Sequence, residues 1–217
     1  LMGVPLWANC WPVEASPGQV RVRRNRRELA LECDYLACGF HLVPNTELAL
    51  LLGCATQNGY VVVNERQETT VEGIYCAGEP CGIAGVDAAL VQGQLAGLAA
   101  AGVPAEAPEL QPLLRVRARW RSFAGRLEQV CALRPELRAL PRPDTLVCRC
   151  EDVTLERIAA AGAQAAGSSW RSAKLLSRCG MGACQGRVCG PAVEFLLGYS
   201  PAGSRPPVFP GRLAALQ

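Results

Sequence analysis

Five of the twelve cysteines fall between positions 148 and 189. They read Cys148-Arg-Cys150, then Cys179, then Cys184-Gln-Gly-Arg-Val-Cys189. Four thiolates, two per iron, are what a pair of sulfide-bridged irons requires. A Cys-x-Cys pair and a distant Cys-x4-Cys pair supply them. The ligand set expected from this spacing is Cys148, Cys150, Cys184 and Cys189, with Cys179 a fifth thiol competing for the third place. Gly180, Gly182, Gly186 and Gly190 lie between or beside the last three cysteines, where a loop must wrap closely and aim backbone N–H groups at sulfur. Four cysteines would also satisfy zinc, but zinc sites more often use Cys-x2–4-Cys at both ends. The run Gly180-x-Gly182-x-x-x-Gly186 imitates a dinucleotide fingerprint, yet it follows no strand and contains Cys184.

A second group of residues could hold a cofactor. In TTVEGIYCAGE (69–79) a Thr precedes a short strand that ends in Gly78 and the acidic Glu79. Such a carboxylate can hydrogen-bond a cofactor hydroxyl. The helix start at Gly85 and Val86 can point N–H groups at a cofactor. Gly78, Glu79, Gly85 and Val86 are therefore candidate cofactor contacts, against the plainer reading of 70–100 as an ordinary strand–turn–helix unit. Cys76 and Cys81 flank the same turn; a redox disulfide competes there with small residues that merely pack, and packing is the preferred reading. His41 is the sole histidine, so neither a Ser–His–Asp triad nor a histidine metal site can be built. No paired carboxylates stand out for acid–base work.

The positioning elements follow from pattern. Residues 19–33 alternate as a hairpin turning at Asn25, and 34–38 read as a further strand. A short helix is expected over 46–52, capped by Asn45 or Thr46. Strands follow at 60–64 and 74–76, then the Gly-rich turn 78–85 and a helix from Val86 to Ala100. After an Ala/Pro/Glu-rich linker (102–112), Leu113, Val116, Trp120, Phe123, Leu127 and Val130 step by three and four along one helix face. Arg115, Arg117, Arg119, Arg121 and Arg126 are expected on a solvated face rather than in an anion-binding patch. A Pro-rich stretch at 140–144 marks a boundary. Beyond it come a helix capped by Thr154, a second capped by Ser168 or Ser169, and a third from Pro191.

Bulk properties narrow the class. Half of the 217 residues are hydrophobic and the formal charge is +3, which calls for neither nucleic acid nor an acidic substrate. No segment is long and apolar enough for a membrane-spanning helix, and no signal peptide opens the chain. Metal or redox chemistry is a better reading of the cysteines than a secreted disulfide framework.

VCRCEDVT and RCGMGACQGRVCG resemble the bacterioferritin-associated-ferredoxin-like (BFD-like) [2Fe–2S] domain, in the version fused to flavoprotein oxidoreductases. Those include the opine oxidase and hydrogen cyanide synthase families. TTVEGIYCAGE resembles the second flavin motif of pyridine-nucleotide–disulfide-type flavoproteins, with Glu79 replacing the commoner Asp, and the resemblance implies Gly78, Glu79, Gly85 and Val86 as FAD contacts, the carboxylate on a ribitol hydroxyl. DYLACGFHLVPNTEL resembles the close of their nucleotide-binding domain. The resemblance favours Cys184 and Cys189 over Cys179. It implies an α/β fold, the C-terminal part of a two-dinucleotide-binding-domain flavoprotein, followed by a small all-α BFD-like domain. The expected boundaries are 1–104, 105–144, 145–200 and 201–217. A [2Fe–2S] cluster and FAD are the implied cofactors. No Gly-x-Gly-x-x-Gly follows a strand, so the FAD site is expected to be incomplete in this chain, which reads as truncated or split. The implied activity is oxidation of an amine or amino acid such as an opine, within a hetero-oligomer of other oxidoreductase subunits. The expected location is cytoplasmic, with membrane association only through partners.

Overall fold

The computed structural model describes residues 3–40, 42–164 and 169–200, with 203, 206 and 208. Two compact units emerge. One joins the segment ending at Phe40 to the segment beginning at Leu133; the other is the stretch between them, ending at Ala132. His41 and Ser168 lie outside the described residues.

The first unit opens with a three-stranded antiparallel meander, β1 (Cys10–Ser16), β2 (Gln19–Arg24) and β3 (Arg27–Glu32). Pro17 and Gly18 (φ 78°) turn β1 into β2, because Pro presets the first turn position and Gly accepts positive φ at the second. Asn25 (φ 56°) turns β2 into β3, as its position between two alternating runs predicts. Val20 and Val22, two apart and therefore on one face, are the buried residues of the sheet. The strand expected at 34–38 does not form: Tyr35 is 95% exposed and Leu36 half exposed. A strand needs a neighbour to take its N–H and C=O groups, and among the described residues none lies alongside.

The second unit begins with α1 (Glu47–Leu51) after Thr46, whose side chain makes no capping bond. A hairpin follows, β4 (Thr56–Gln57) and β5 (Tyr60–Val61). Its turn is Asn58-Gly59, both at positive φ, the combination that matches the strand twist of a two-residue hairpin. The predicted strands at 60–64 and 74–76 shrink to β5 and two isolated bridges, Val63–Thr69 and Glu68–Tyr75. Asn64 organises that bend by accepting N–H bonds from Arg66 (2.8 Å) and Glu68 (3.1 Å) on Oδ1. Beyond the Gly turn runs α2 (Val86–Ala100), with the expected bounds, and then α3 (Leu110–Cys131). Ala88, Leu95, Ala99 and Leu110 form the buried seam of this helical pair. The predicted apolar stripe of α3 is only partly covered, since Phe123 is 46% and Val130 85% exposed. The predicted solvated arginine face fails at Arg117, which is 8% exposed.

The first unit resumes with a two-stranded ladder, β6 (Leu146–Cys148) and β7 (Val153–Thr154), followed by α4 (Leu155–Ala163), α5 (Trp170–Ser177) and α6 (Cys189–Leu197). The tail is thus helical apart from this short ladder, and the chain as a whole is mixed α/β. Ser169 caps α5 by accepting the Ser172 N–H at 3.2 Å. Thr154 precedes α4 without bonding to it, and its hydroxyl is buried without a partner. Ile158, Ala173, Val153, Val193 and Trp170 form one core with Cys148, Cys179 and Cys189. The three cysteines sit in that core rather than on a surface loop.

Candidate metal centre and flavin-type turn

Each cysteine of the tail is placed by a different local device. Cys148 ends β6 and is 1% exposed. Cys150 lies beyond it on the exposed turn that closes the ladder, where Asp152 takes φ 48°. Arg178 ends α5 in the left-handed conformation and sends the chain inward, so Cys179 is fully buried. Cys184 is half-buried in the following loop, and Cys189 begins α6 at 1% exposure.

The thiol sulfurs of Cys148, Cys179 and Cys189 all lie within 4.8 Å of one another. Cys150 and Cys184 hydrogen-bond to each other, and Cys184 is close enough for its charge to act on Cys189. A buried trio and a neighbouring pair, linked through Cys184 and Cys189, therefore make up the five thiols. The four expected ligands are among them, and so is Cys179, which sits in the buried trio.

Glycine is required at two points of this wrapping. A side-chain carbon at Gly182 would overlap Cys150 Cβ, so only Gly lets the two loops close. At Gly180 (φ 79°) a Cβ would stand 2.7 Å from the Trp170 ring, which closes the back of the loop. Trp170 is legible in the sequence only as a helix residue.

The electrostatics of these thiols suit a bound cation. Burial pushes the Cys184 thiol up, but the N–H groups of Val188, Gly186 and Arg187 and the Cys150 thiol outweigh it and hold Cys184 below the ordinary thiol range. Cys189 is pushed far above that range by its hydrogen bond to Cys179, by burial and by the charge of Cys179. Thiols this crowded cannot all ionise alone. Metal ions among them reverse the preference, because each charge is then paired. The donor set, the glycine-cleared loops and the N–H groups turned on Cys184 fit a thiolate-bound iron–sulfur cluster.

The flavin-type turn is built in the second unit. Gly78 (φ 87°, ψ −156°) and Gly85 (φ 85°, ψ −179°) both adopt conformations open chiefly to glycine. Gly78 donates its N–H to Gln92 Oε1 at 2.7 Å, tying the turn to α2. Glu79 Oε1 accepts the Gly85 N–H at 3.1 Å, so the acidic residue spans its own loop. Val86, the first residue of α2, is 71% exposed. An open helix start beside a carboxylate and two glycines can receive an anionic or hydroxylated cofactor.

At the same turn the Cys76 and Cys81 thiols hydrogen-bond to one another. Cys76 is lowered to about 7 by that bond, which outweighs burial, and Cys81 is pushed well above the usual thiol range. Sequence spacing puts these two across a turn but does not reveal the contact. Among the described residues, no helix is long and apolar enough to cross a membrane.

Comparison with known proteins finds matches over the two regions that carry these residues. Residues 146–198 match the BFD-like [2Fe–2S] binding domain. Residues 3–97 match the pyridine nucleotide-disulphide oxidoreductase family. The opine oxidase A-subunit of Rhizobium meliloti is 35% identical over 196 residues, covering 81% of this chain and 37% of that protein. Its counterpart in Agrobacterium tumefaciens (strain Ach5) is 34% identical over 197 residues, covering 81% and 39%. Hydrogen cyanide synthase subunit HcnB of Pseudomonas aeruginosa is 36% identical over 171 residues, covering 71% and 35%. The chain thus spans less than half the length of these relatives. No solved structure matches it. The cofactors these matches indicate are FAD and a [2Fe–2S] cluster: a pyridine nucleotide-disulphide oxidoreductase segment over residues 3–97 is followed by a BFD-like [2Fe–2S] binding domain over residues 146–198.

Proposed function

We propose that this chain serves as an electron-transferring subunit of a flavin-dependent oxidoreductase, and that Cys148, Cys150, Cys184 and Cys189 hold its [2Fe–2S] cluster. The observation that carries the reading is the buried trio Cys148, Cys179 and Cys189, with the Cys150–Cys184 pair adjoining it through Cys184 and backbone N–H groups turned on Cys184. A [2Fe–2S] cluster supplies one-electron chemistry, whereas a flavin exchanges two electrons. The chain's own residues have positioning tasks. Gly182 clears room beside Cys150, Trp170 closes the site from behind, and the N–H groups of residues 186–188 stabilise the Cys184 thiolate. Gly78, Glu79, Gly85 and Val86 are assigned to FAD, which would need further protein for its pyrophosphate and adenosine.

The substrate in this reading is an amine, of amino-acid or opine type, by analogy with the relatives named as opine oxidase subunits. The other subunits of such an enzyme are the expected partners, with no nucleic acid, and the cytoplasm is the expected location. The division at 1–104, 105–144, 145–200 and 201–217 belongs to the same proposal.

The test is anaerobic reconstitution with iron and sulfide. The expected product is brown, with visible bands that bleach on reduction by dithionite. Cys148→Ser, Cys150→Ser, Cys184→Ser and Cys189→Ser should each lose those bands, and Cys179→Ser should keep them. Loss in Cys179→Ser with retention in Cys150→Ser or Cys184→Ser would transfer a ligand role to the buried trio. A colourless protein holding one zinc ion would overturn the cluster altogether. Yellow FAD released from the reconstituted complex on denaturation would support the flavin assignment.

A further inference from the structure

A cleft of about 180 Å³ opens in the second unit between the hairpin strand β5, the Gly turn and α3. Its α3 wall is Arg117, Trp120, Arg121 and Ala124. These positions are spaced by three, one and three, so they share one helix face. Gln57, Tyr60 and Gln92 add polar groups opposite.

Arg117 is the unusual member. It is 8% exposed, yet its hydrogen bonds go to neutral oxygens: Nε donates to Gln67 Oε1 at 2.6 Å and Nη2 to the Asn64 carbonyl at 2.8 Å. No carboxylate pairs with it among the described residues. Burial and the charge of Arg121 both weigh against its cation, while Glu65 and Cys81 act in its favour from a distance. A guanidinium has five N–H donors in a planar fork, and Gln67 and Asn64 occupy only part of it. A buried cation without a counter-ion costs several kcal/mol, roughly, unless a charge of opposite sign joins it. The second guanidinium on the same face, Arg121, adds positive charge and no compensation.

We propose that this cleft is a binding site for a small oxyanion, a carboxylate or phosphate group held between the Arg117 and Arg121 guanidiniums beside the Trp120 ring. Planar forks of this kind pair with both groups through two parallel bonds. The site lies outside the cysteine centre, so the proposal does not rest on the cluster.

The experiment is titration of the full chain with inorganic phosphate and, separately, with succinate, followed by Trp fluorescence. Saturable quenching is expected with at least one probe, and Trp120→Phe should abolish it. Arg121→Gln, at an exposed position, should weaken binding about tenfold, the loss expected for one charge-assisted contact of ~1.4 kcal/mol. Arg117→Lys keeps the charge but loses the fork, and should also weaken it. FAD displacing phosphate would make the cofactor's own phosphates the source; failure to displace it would point to a free small molecule. The cluster-deficient Cys184→Ser chain should bind as wild type does. Absence of saturable quenching with both probes, or equal affinity of Arg121→Gln and wild type, would overturn the site.

Discussion

Arg178 Nε donates to Glu151 Oε2 at 2.7 Å. That bond ties the residue just after Cys150 to the residue just before Cys179, so the two cysteine-bearing loops are held together by neighbours of the thiols. Arg178 also carries a positive φ of 67°, which a non-glycine side chain adopts at some cost. Its two roles oppose each other energetically. Arg178→Gly loses the ion pair but relieves the backbone, whereas Arg178→Ala loses the pair and keeps the strain. Thermal unfolding of the two variants should therefore give a lower midpoint for Ala than for Gly.

Gly182 has no room for a side chain because Cys150 occupies the space. Gly182→Ala must push the Cys150 turn outward. The expected loss of stability is about 1–3 kcal/mol, typical of overpacking a closed site. Reconstituted Gly182→Ala should also show less visible absorbance per chain than wild type. Denaturant unfolding and the iron-to-protein ratio check the two halves of this expectation.

Ile158 is fully buried against Trp170, Ala173 and Val193 in the core that surrounds three of the cysteines. Ile158→Ala should cost about 2–5 kcal/mol through lost burial and the cavity left behind. Urea unfolding of the metal-free chain measures it, and an unchanged midpoint would contradict the packing described.

The Cys76–Cys81 pair should lose its first proton near pH 7, with the resulting thiolate held by the remaining S–H. The sign is fixed by acidity: the thiolate fraction, and with it nucleophilicity, rises as pH increases through about 7. Alkylation of Cys76 by iodoacetamide, followed by mass spectrometry, should reach half its maximal rate about there. In Cys81→Ala the hydrogen bond is gone, and the midpoint should move up toward the ordinary thiol value of 9.0.

Spacing alone reveals much of this protein. Cys148-x-Cys150 and Cys184-x4-Cys189 are local patterns, and the glycines among them announce tight loops. Val86–Ala100, the hairpin at Asn25 and the Ser169 cap are equally legible, because helix period, strand alternation and capping act over a few residues. Other features depend on which distant segments meet. Residues 34–38 have the composition of a strand but, among the described residues, no neighbour to pair with. Arg117 has the composition of a surface residue but meets Gln67 and Asn64 across the unit. Nothing in the chain order says that Cys179 is buried beside Cys148 and Cys189, that Trp170 closes against Gly180, or that the Cys76 and Cys81 thiols meet. The order of residues names the groups able to do chemistry, since that ability rests on side-chain type and short-range spacing. Which of those groups share a site is settled by the folded chain, because burial and through-space contact arise from packing between segments far apart in the sequence.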